Sequence, residues 1–427
     1  MTRTEMIPSA RRLMHSLRDI GYDLPAAVAD LIDNSIDADA QVIRVDAVHD
    51  ADGGWIRIAD DGFGMTERQL DEAMRYGSSR KYEDADLGHF GLGLKTASLS
   101  QGRRLTVATR SSLKGPIRIR RWDLDHVART DSWALESLTV REAPRILTES
   151  LAGGTGTVVL WQHLDRVLGA RRPSGDAAAR RLQGALEEIA QHLAMVFHRF
   201  LNGETAGPPL SIVVAGHDIE PWDPFARSEA LTQTMSTQTI DFEHDGVDHR
   251  LIVQPFLLPA QQHFSSPEAH ERASGPNKWN RQQGLYIYRR DRLIQSGGWN
   301  RLRTLDEHAK LARISVDMPT SADAAFRINV SKMTVGLPDS VRPTLRALIA
   351  GVVSHAQERY RRPLVLVSDK RGPQPGTGGV TIGDQWPQIQ RVLTDHLSGQ
   401  PELLDQILVA LANTRPAEPE QRSAEAS

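Results

Sequence analysis

The segment Asp30-Leu-Ile-Asp-Asn34-Ser-Ile-Asp37 is the most informative stretch of this 427-residue chain. Residues 25–38 are predicted to form one helix, because the hydrophobic positions recur at helical spacing and Pro25 stands where a first turn tolerates proline. The spacing i, i+3, i+4 and i+7 places four oxygen-bearing side chains on one helix face, those of Asp30, Asp33, Asn34 and Asp37.

No Lys or Arg occurs between Arg18 and Arg44, so this face carries no basic residue of its own. Such an acidic face is tolerable where a cation binds. Oxygen ligands suit Mg²⁺, which makes Asn34 a candidate ligand and a neighbouring carboxylate a candidate base. An exposed acidic helix explains the same pattern equally well.

A second motif, Asp60-Asp-Gly62-Phe-Gly64-Met65, follows a predicted β-hairpin formed by residues 43–48 and 55–60. Asp60 shares a strand face with two isoleucines and is expected to point inward, where a carboxylate needs a hydrogen-bond donor such as an adenine amino group. Gly62 and Gly64 would let a flat base approach the backbone. Taken alone, the motif is better explained as an ordinary Asp-Gly turn.

A third motif, Gly88-His-Phe-Gly91-Leu92-Gly93-Leu94-Lys95-Thr96, ends a long loop that is rich in Gly, Ser and charge, and begins a helix. Backbone N–H groups at a glycine-rich helix N-terminus form a phosphate-binding site. Lys95 would add positive charge, although a solvated helix lysine explains it at least as well. The motif alone is a weak signal.

The order and spacing of these motifs resemble the GHKL ATPase superfamily of gyrase, heat-shock chaperone, histidine kinase and MutL, whose ATPase domain has the Bergerat fold. A fourth segment, Thr155-Gly-Thr157-Val-Val-Leu-Trp161, is similar to a gyrase B strand that supplies a nucleotide-contacting threonine. The resemblance implies ATP and Mg²⁺ as cofactors, with Asn34 as the magnesium ligand. It also implies a set of nucleotide-contacting residues: Asn34, Asp37, Asp60, Gly62, Gly64, Met65, Gly88, Gly91, Leu92, Gly93, Leu94, Lys95, Thr96 and Thr157.

The chain departs from this family at the general base, where the usual glutamate, four residues before the asparagine, is replaced by Asp30. Its side chain is shorter by one methylene, and a misplacement of about 1 Å can lower a rate about 100-fold. We therefore expect slow hydrolysis with Asp30 orienting the attacking water. A nearly non-hydrolysing switch is the alternative.

The predicted fold class is α/β (α+β), a Bergerat-fold two-layer sandwich with a mixed, largely antiparallel sheet, followed by a second α/β domain. The resemblance relates that second domain to the ribosomal-protein-like transducer of gyrase B and MutL. Three segments are predicted, at residues 1–205, 206–365 and 366–427. The resemblance makes the first an ATP-binding domain and the second a transducer-like domain, and the third is expected to be a linker with short helices and a disordered tail. Further helices are predicted at residues 66–75, 176–201 and 340–360. Further strands are predicted at residues 105–110, 117–124, 157–161, 239–242, 250–257, 285–288, 312–317 and 326–330. Residues 259–281 have no assignment.

In the second region, Arg327-Ile-Asn-Val-Ser-Lys332-Met resembles the loop that delivers a lysine to the terminal phosphate, which makes Lys332 a candidate catalytic residue. Residues 284–294, followed by Gly297-Gly-Trp299, resemble part of the microrchidia (MORC) proteins. A group of basic and aromatic residues there suits phosphate backbones or base stacking, with a solvated hairpin tip slightly preferred. This group contains Tyr286, Tyr288, Arg289, Arg290, Arg292, Trp299, Arg301 and Arg303.

The composition is that of a globular protein, with 40% hydrophobic and 25% charged residues, a net charge of −3 and no cysteine. The absence of cysteine excludes disulfides and thiolate metal sites, and no apolar run reaches the roughly 18 residues that span a bilayer. Without a signal-peptide pattern, the expected location is the cytoplasm, with no membrane partner.

The expected function is an ATP-binding, slowly ATP-hydrolysing switch or clamp, similar to a short MORC protein or the N-terminal half of MutL. It is expected to form a homodimer on binding ATP and to act on DNA, with a nuclease or methylase as a possible partner in repair, restriction or phage defence. A histidine kinase fits poorly, because its phospho-acceptor and sensor segments precede the ATPase domain. Here only about 24 residues precede the predicted helix 25–38. The alternatives are a non-hydrolysing ATP-dependent binding module and a chaperone-like ATPase.

Overall fold

A computed structural model describes residues 8–19, 22–50, 53–76, 93–169, 175–328 and 335–361, and the statements below concern these residues. Four predicted site residues, Gly88, Gly91, Leu92 and Lys332, lie outside them, as does the predicted tail. Both β-sheets belong to one compact unit, residues 1–364.

The helices of the described residues are α1 Ala10–Arg18, α2 Leu24–Asp37, α3 Glu67–Met74, α4 Gly93–Gln101, α5 Leu124–Thr130, α6 Arg145–Glu149, α7 Asp176–Val196, α8 His198–Leu201, α9 Pro267–Ser274, α10 Lys278–Gln282 and α11 Arg342–Arg361. The strands are β1 Val42–Val48, β2 Trp55–Asp60, β3 Arg104–Arg110, β4 Arg118–Asp123, β5 Glu136–Leu138, β6 Gly156–Gln162, β7 Ser211–Val214, β8 His217–Asp218, β9 Gln233–Thr234, β10 Gln238–His244, β11 Val247–Leu257, β12 Gly284–Arg289, β13 Arg292–Ser296 and β14 Ala312–Met318.

The first sheet has eight described strands in the order β5-β4-β3-β6-β2-β1-β7-β8. Only the β1–β7 pair is parallel, so the predicted mixed, largely antiparallel sheet is confirmed. β2 lies beside β6, and the register pairs Asp60 with Thr157. The sheet therefore brings the second and fourth sequence motifs together. It also extends through β7 and β8, beyond the domain boundary predicted at residue 205.

Each face of this sheet carries its own hydrophobic core, as the alternation along β6 shows. Val159 and Trp161 belong to the main core, whereas Val158 and Leu160 belong to a smaller cluster with Leu147 of α6. Successive side chains of a strand point to opposite faces, so α6 covers one face. On the other face, α2 packs against α4 and α7.

Local capping explains where two of these helices begin. The Asp23 side chain accepts a hydrogen bond from the Ala26 amide and caps α2, with Pro25 in the first turn. Thr66 and Gln69 form the predicted capping box at the start of α3. The positions of both helices therefore follow from short stretches of sequence.

The second sheet has the strand order β10-β11-β14-β12-β13, with β9 also pairing with β11. It contacts the end of the first region through Arg199, which donates to Asp317 of β14 at 3.1 Å and pairs with Asp291 at 3.0 Å. The relation of this region to a ribosomal-protein-like transducer stays a prediction.

The strand predicted at residues 326–330 is wrong for Phe326 and Arg327. The Phe326 amide donates to the Ala322 carbonyl oxygen at 3.0 Å, and Arg327 has a φ of 48°, so these residues form a turn. Residues 259–281, which had no assignment, contain α9 and all of α10 except its last residue, Gln282. Among the described helices, none has the length and apolarity that crossing a lipid bilayer requires.

Candidate functional site

Both long faces of α2 are largely buried, so the interpretation as an exposed acidic helix is wrong. Leu31 and Ile32 enter the hydrophobic core, while Asp30 and Asp33, on the acidic face, are 4% and 0% exposed. Asn34 is exposed and Asp37 is half-buried. The face predicted to bind a cation is therefore a buried carboxylate pair followed by an accessible amide.

Asp30 is held by side chains from outside its own helix turn. The Tyr22 hydroxyl donates to Asp30 Oδ2 at 2.8 Å, and Arg292 Nη2 lies 3.8 Å from Oδ1. The Tyr22 hydroxyl also bonds to the Thr96 side chain. Burial, together with the Asp30 charge and hydrogen bond, raises the pKa of Tyr22, which keeps its hydroxyl protonated as a donor.

The N-terminus of α4 lies against Asp30. A Cβ atom added to Gly93 would stand 3.4 Å from Asp30 Oδ2, an ordinary van der Waals distance, so the beginning of this helix lies close to the carboxylate. A helix N-terminus offers free N–H groups and positive potential to an anion. The start of α4, where phosphate binding is predicted, therefore lies next to the candidate base.

Asp60 ends β2 with a carboxylate that three protein groups hold in place. Oδ1 accepts from the Gly62 amide at 3.1 Å and from the Thr157 amide at 3.0 Å, and Oδ2 accepts from the Ser35 hydroxyl at 3.0 Å. A carboxylate has about four acceptor sites, so one is left for a ligand donor. The observed donor set therefore fits the predicted contact with an adenine amino group.

Burial raises the pKa of Asp60 from 3.8 to about 6, against the lowering effect of its hydrogen bonds. Between pH 4 and 6 the folded protein thus binds more protons than the unfolded chain, and its stability falls as pH rises through this range. Keeping Asp60 ionised at pH 7 costs the folded state on the order of 3 kcal/mol.

We therefore expect Asp60→Asn to be more stable than the wild type by about 3 kcal/mol at pH 7, and the gain to shrink toward pH 4.5. Urea unfolding of both proteins at several pH values measures this difference. A difference that is independent of pH would contradict the raised pKa.

The glycines of the second motif are required by the protein's own backbone. A Cβ atom at Gly62 would lie 2.5 Å from the Ala38 carbonyl oxygen, and one at Gly64, which has a φ of 66°, would lie 2.2 Å from that of Arg110. The turn is therefore packed tightly between the end of α2 and β3. The contact of Gly62 and Gly64 with a nucleotide base stays a prediction.

Thr109 on β3 organises the rest of this turn. Its hydroxyl accepts from the Met65 amide at 2.8 Å and donates to the Gly156 carbonyl oxygen at 2.9 Å. It also lies 3.1 Å from the Thr157 hydroxyl, since Thr109 and Thr157 are paired in the sheet. The structure thus brings Asp60, Met65 and Thr157 into one hydrogen-bonded group.

Lys95, near the beginning of α4, does not lie in solvent. Lys95 is 1% exposed and donates from Nζ to the Ala73 carbonyl oxygen at 2.9 Å, so its interpretation as a solvated lysine is wrong. Burial lowers its pKa to about 8. Thr96 is also buried and Leu94 is half-buried. Phosphate contacts by Leu94, Lys95 and Thr96 stay predictions.

The basic and aromatic group of the second region is not a surface for stacking. Tyr286, Tyr288 and Trp299 lie in the core at 0%, 0% and 2% exposure, so they cannot meet a nucleic-acid base. Arg289 is buried against Asp323, and Arg292 is buried against α2. The interpretation of this group as a solvated hairpin tip is also wrong for Arg289 and Arg292.

The residues present fit a magnesium nucleotide. Within the described ranges, no cluster of three or more His, Asp or Glu side chains could hold a metal ion alone. Mg²⁺, however, is commonly held by one or two protein groups plus phosphates, and the exposed Asn34 amide supplies one such group.

Sequence reasoning missed four side chains of this site: Tyr22, Ser35, Thr109 and Arg292. Ser35 lies within the first motif, so the sequence alone could have identified its hydroxyl as part of the site. Thr109 becomes visible only once the sheet register is known. Arg292 lies 259 residues from its partner Asp33, and no local pattern joins them.

Comparison with known proteins agrees with this geometry. Residues 22–155 match a family model described as "Histidine kinase-, DNA gyrase B-, and HSP90-like ATPase". The chain is 28% identical over 242 residues to the DNA mismatch repair protein MutL of Acidiphilium cryptum, an alignment covering 55% of this chain and 37% of that protein.

Two further relatives match shorter stretches. The chain is 33% identical over 85 residues to ATPase morc-1 of Caenorhabditis elegans, covering 20% of this chain and 10% of that protein. It is 35% identical over 91 residues to Protein MICRORCHIDIA 6 of Arabidopsis thaliana, covering 20% of this chain and 14% of that protein. The alignments thus span about a third or less of each relative. Residues 22–155 thus match the ATPase domain of the GHKL superfamily, and this chain is similar to MORC and MutL proteins.

Proposed function

We propose that this protein is an ATP-binding and slowly ATP-hydrolysing conformational switch or clamp. One observation carries the proposal: α2 contributes to both ends of a single site. It supplies the buried Asp30 beside the start of α4, and its Ser35 holds Asp60 at 3.0 Å. Five residues separate Asp30 and Ser35, about 7.5 Å along a helix. The two ends are thus set for the phosphates and the base of one nucleotide.

The chemistry assigned to Asp30 is general-base catalysis. Its carboxylate would orient the attacking water and accept a proton, while the Tyr22 hydroxyl, 2.8 Å away, fixes its orientation. Bound Mg²⁺ would neutralise phosphate charge, and Asn34 would hold it. Since a carboxylate held by neighbours cannot easily compensate for a missing methylene, turnover is expected to be slow.

The remaining site residues belong to the proposal through the family resemblance. Asp37, Met65, the residues of the segment from Gly88 to Thr96, and Thr157 would contact the nucleotide, and Lys332 would reach its terminal phosphate. Thr157 has the firmest support, because its backbone amide already bonds to Asp60.

Dimerisation on ATP and action on DNA extend this proposal. The GHKL domain and the resemblance to a DNA mismatch repair protein support both. A nuclease or methylase partner and a cytoplasmic location stay predictions. A non-hydrolysing ATP-dependent module is the second candidate, favoured by aspartate at position 30. A chaperone-like ATPase would instead suppress client aggregation without salt-dependent affinity for DNA.

The test is ATP turnover measured with and without duplex DNA, alongside the solution mass with and without ATP. We expect slow, magnesium-dependent phosphate release and a doubled mass with ATP. Asn34→Ala is expected to abolish both, because it removes the proposed magnesium ligand. The Asn34 side chain is exposed, so the fold should persist. Turnover and mass that are unchanged in Asn34→Ala would contradict the assigned magnesium site. ATP binding without turnover would favour the second candidate.

A further inference from the structure

The acidic face of α2 has a cationic partner within the chain, although it lies far away in sequence. Arg292, the first residue of β13, donates from Nε to Asp33 Oδ1 at 2.7 Å. Its Nη2 atom is 3.8 Å from Asp30 Oδ1. The side chains of these three residues are each 4% exposed or less, so one guanidinium lies buried between two carboxylates.

Arg292 follows a tight turn through which the second sheet contacts α2. The two residues before it, Arg290 and Asp291, have φ values of 47° and 64°, as the two central residues of a type I′ hairpin turn require. Non-glycine residues rarely adopt this conformation, and it persists where surrounding contacts hold it.

Those contacts are visible on both sides of the turn. Arg290 Nη1 lies 3.7 Å from Asp37 Oδ1, and Asp291 pairs with Arg199 at 3.0 Å. The Arg292 guanidinium also lies 5.8 Å from the centre of the Phe197 ring. The turn formed by residues 289–292, here called the arginine turn, thus lies between α2 and the junction of α7 and α8, which contains Phe197 and Arg199.

We propose that Arg292 is a positioning residue for ATP hydrolysis. From the second sheet, it fixes Asp33 and Asp30, so the orientation of the water-binding carboxylate depends on how the arginine turn docks on α2. This inference rests on the proposed function, because it assigns Asp30 as the base. It adds that the second sheet controls that base through one guanidinium.

A guanidinium suits this role because its planar, five-donor fork can contact two carboxylates at once. A lysine would preserve the charge but offer a single point of contact. A purely structural arginine would affect folding stability only, whereas a positioning arginine affects the turnover number more than nucleotide affinity. The change in turnover number, compared with the change in nucleotide affinity, therefore separates these roles.

The experiment compares the wild type, Arg292→Met and Arg292→Lys for kcat, for KM and for the Kd of magnesium ATP. We expect kcat to fall at least tenfold in Arg292→Met and at least threefold in Arg292→Lys, with Kd changed by less than about threefold. Arg250→Met is the matched control, because Arg250 forms an exposed pair with Asp241 at 2.6 Å, away from α2. It should retain wild-type kcat.

A second readout needs no nucleotide. A double-mutant cycle of Arg292→Met and Asp33→Asn, measured by urea unfolding, should give a coupling of about tenfold in the unfolding equilibrium constant, or about 1.4 kcal/mol. The exposed Arg250–Asp241 pair should give less than threefold.

The results for these variants distinguish the positioning role of Arg292 from the proposed ATPase function. A folded Arg292→Met protein with kcat within twofold of the wild type overturns the positioning role and leaves the proposed function intact. If Arg292→Met does not fold, an unchanged kcat in Arg292→Lys overturns it equally. A wild-type protein without turnover contradicts both claims.

Discussion

Replacing Asp60 with asparagine is expected to lower the affinity for ATP about 100-fold while leaving the fold intact. An asparagine can keep all three protein contacts: its Oδ1 can accept from the Gly62 and Thr157 amides, and its Nδ2 can donate to the Ser35 hydroxyl. The group that faces the ligand, however, changes from an acceptor to a donor. An adenine amino group then meets another donor, and the lost charge-assisted bond accounts for about 1.5 to 3 kcal/mol.

Titration calorimetry with magnesium ATP measures this loss, and thermal unfolding confirms the fold. Asp61→Asn is the matched control, since the Asp61 carboxylate is exposed and accepts from the Gln41 and Val42 amides outside the proposed pocket. Its ATP affinity should stay within about threefold of the wild type. Equal affinities in Asp60→Asn and the wild type would show that Asp60 does not bind the base.

Asp30→Asn is expected to reduce turnover by about 10² to 10⁴-fold and to leave ATP binding nearly unchanged. The amide oxygen can still accept from Tyr22, and Arg292 keeps its closer partner Asp33 at 2.7 Å, so the local structure should persist. An amide cannot accept a proton from water. The loss should therefore appear in kcat rather than in the Kd for ATP.

Single-turnover phosphate release, measured with a parallel binding titration, separates these two effects. Asp39→Asn serves as the control, because Asp39 is exposed beyond the end of α2 and its φ of 54° suits asparagine. It should hydrolyse ATP at the wild-type rate. Turnover that survives in Asp30→Asn would assign the base to another residue.

The elements that the sequence predicted well are those determined by nearby residues. The capping box of Thr66 and Gln69, the β1–β2 hairpin and the extent of α2 all rest on short patterns, and the structure confirms them. The strand predicted around Phe326 failed because an apolar stretch there is bent by a turn that includes the positive φ of Arg327. Hydrophobicity alone does not report that bend.

The sequence motifs of the candidate site were predictable, but the distant side chains that contact those motifs were not. The helical spacing i, i+3, i+4 and i+7 identified the acidic face, yet nothing in it revealed that Arg292 lies between Asp30 and Asp33. The same long-range packing buries Tyr286 and Tyr288, which a local pattern of arginines and aromatics had suggested for nucleic-acid binding. Contacts between residues hundreds of positions apart depend on the docking of two sheets, which a sequence pattern does not encode locally.

The central claim is that one pocket, with α2 at its centre, binds an adenine nucleotide with magnesium. Titration calorimetry of the wild-type protein with ATP and with GTP, each with Mg²⁺ and with a chelator, tests it most directly. We predict saturable binding of ATP that requires Mg²⁺ and is at least about 100-fold tighter than for GTP, because a guanine carbonyl would face the Asp60 carboxylate. Heat that is absent with ATP, or equal for ATP and GTP, would contradict the account.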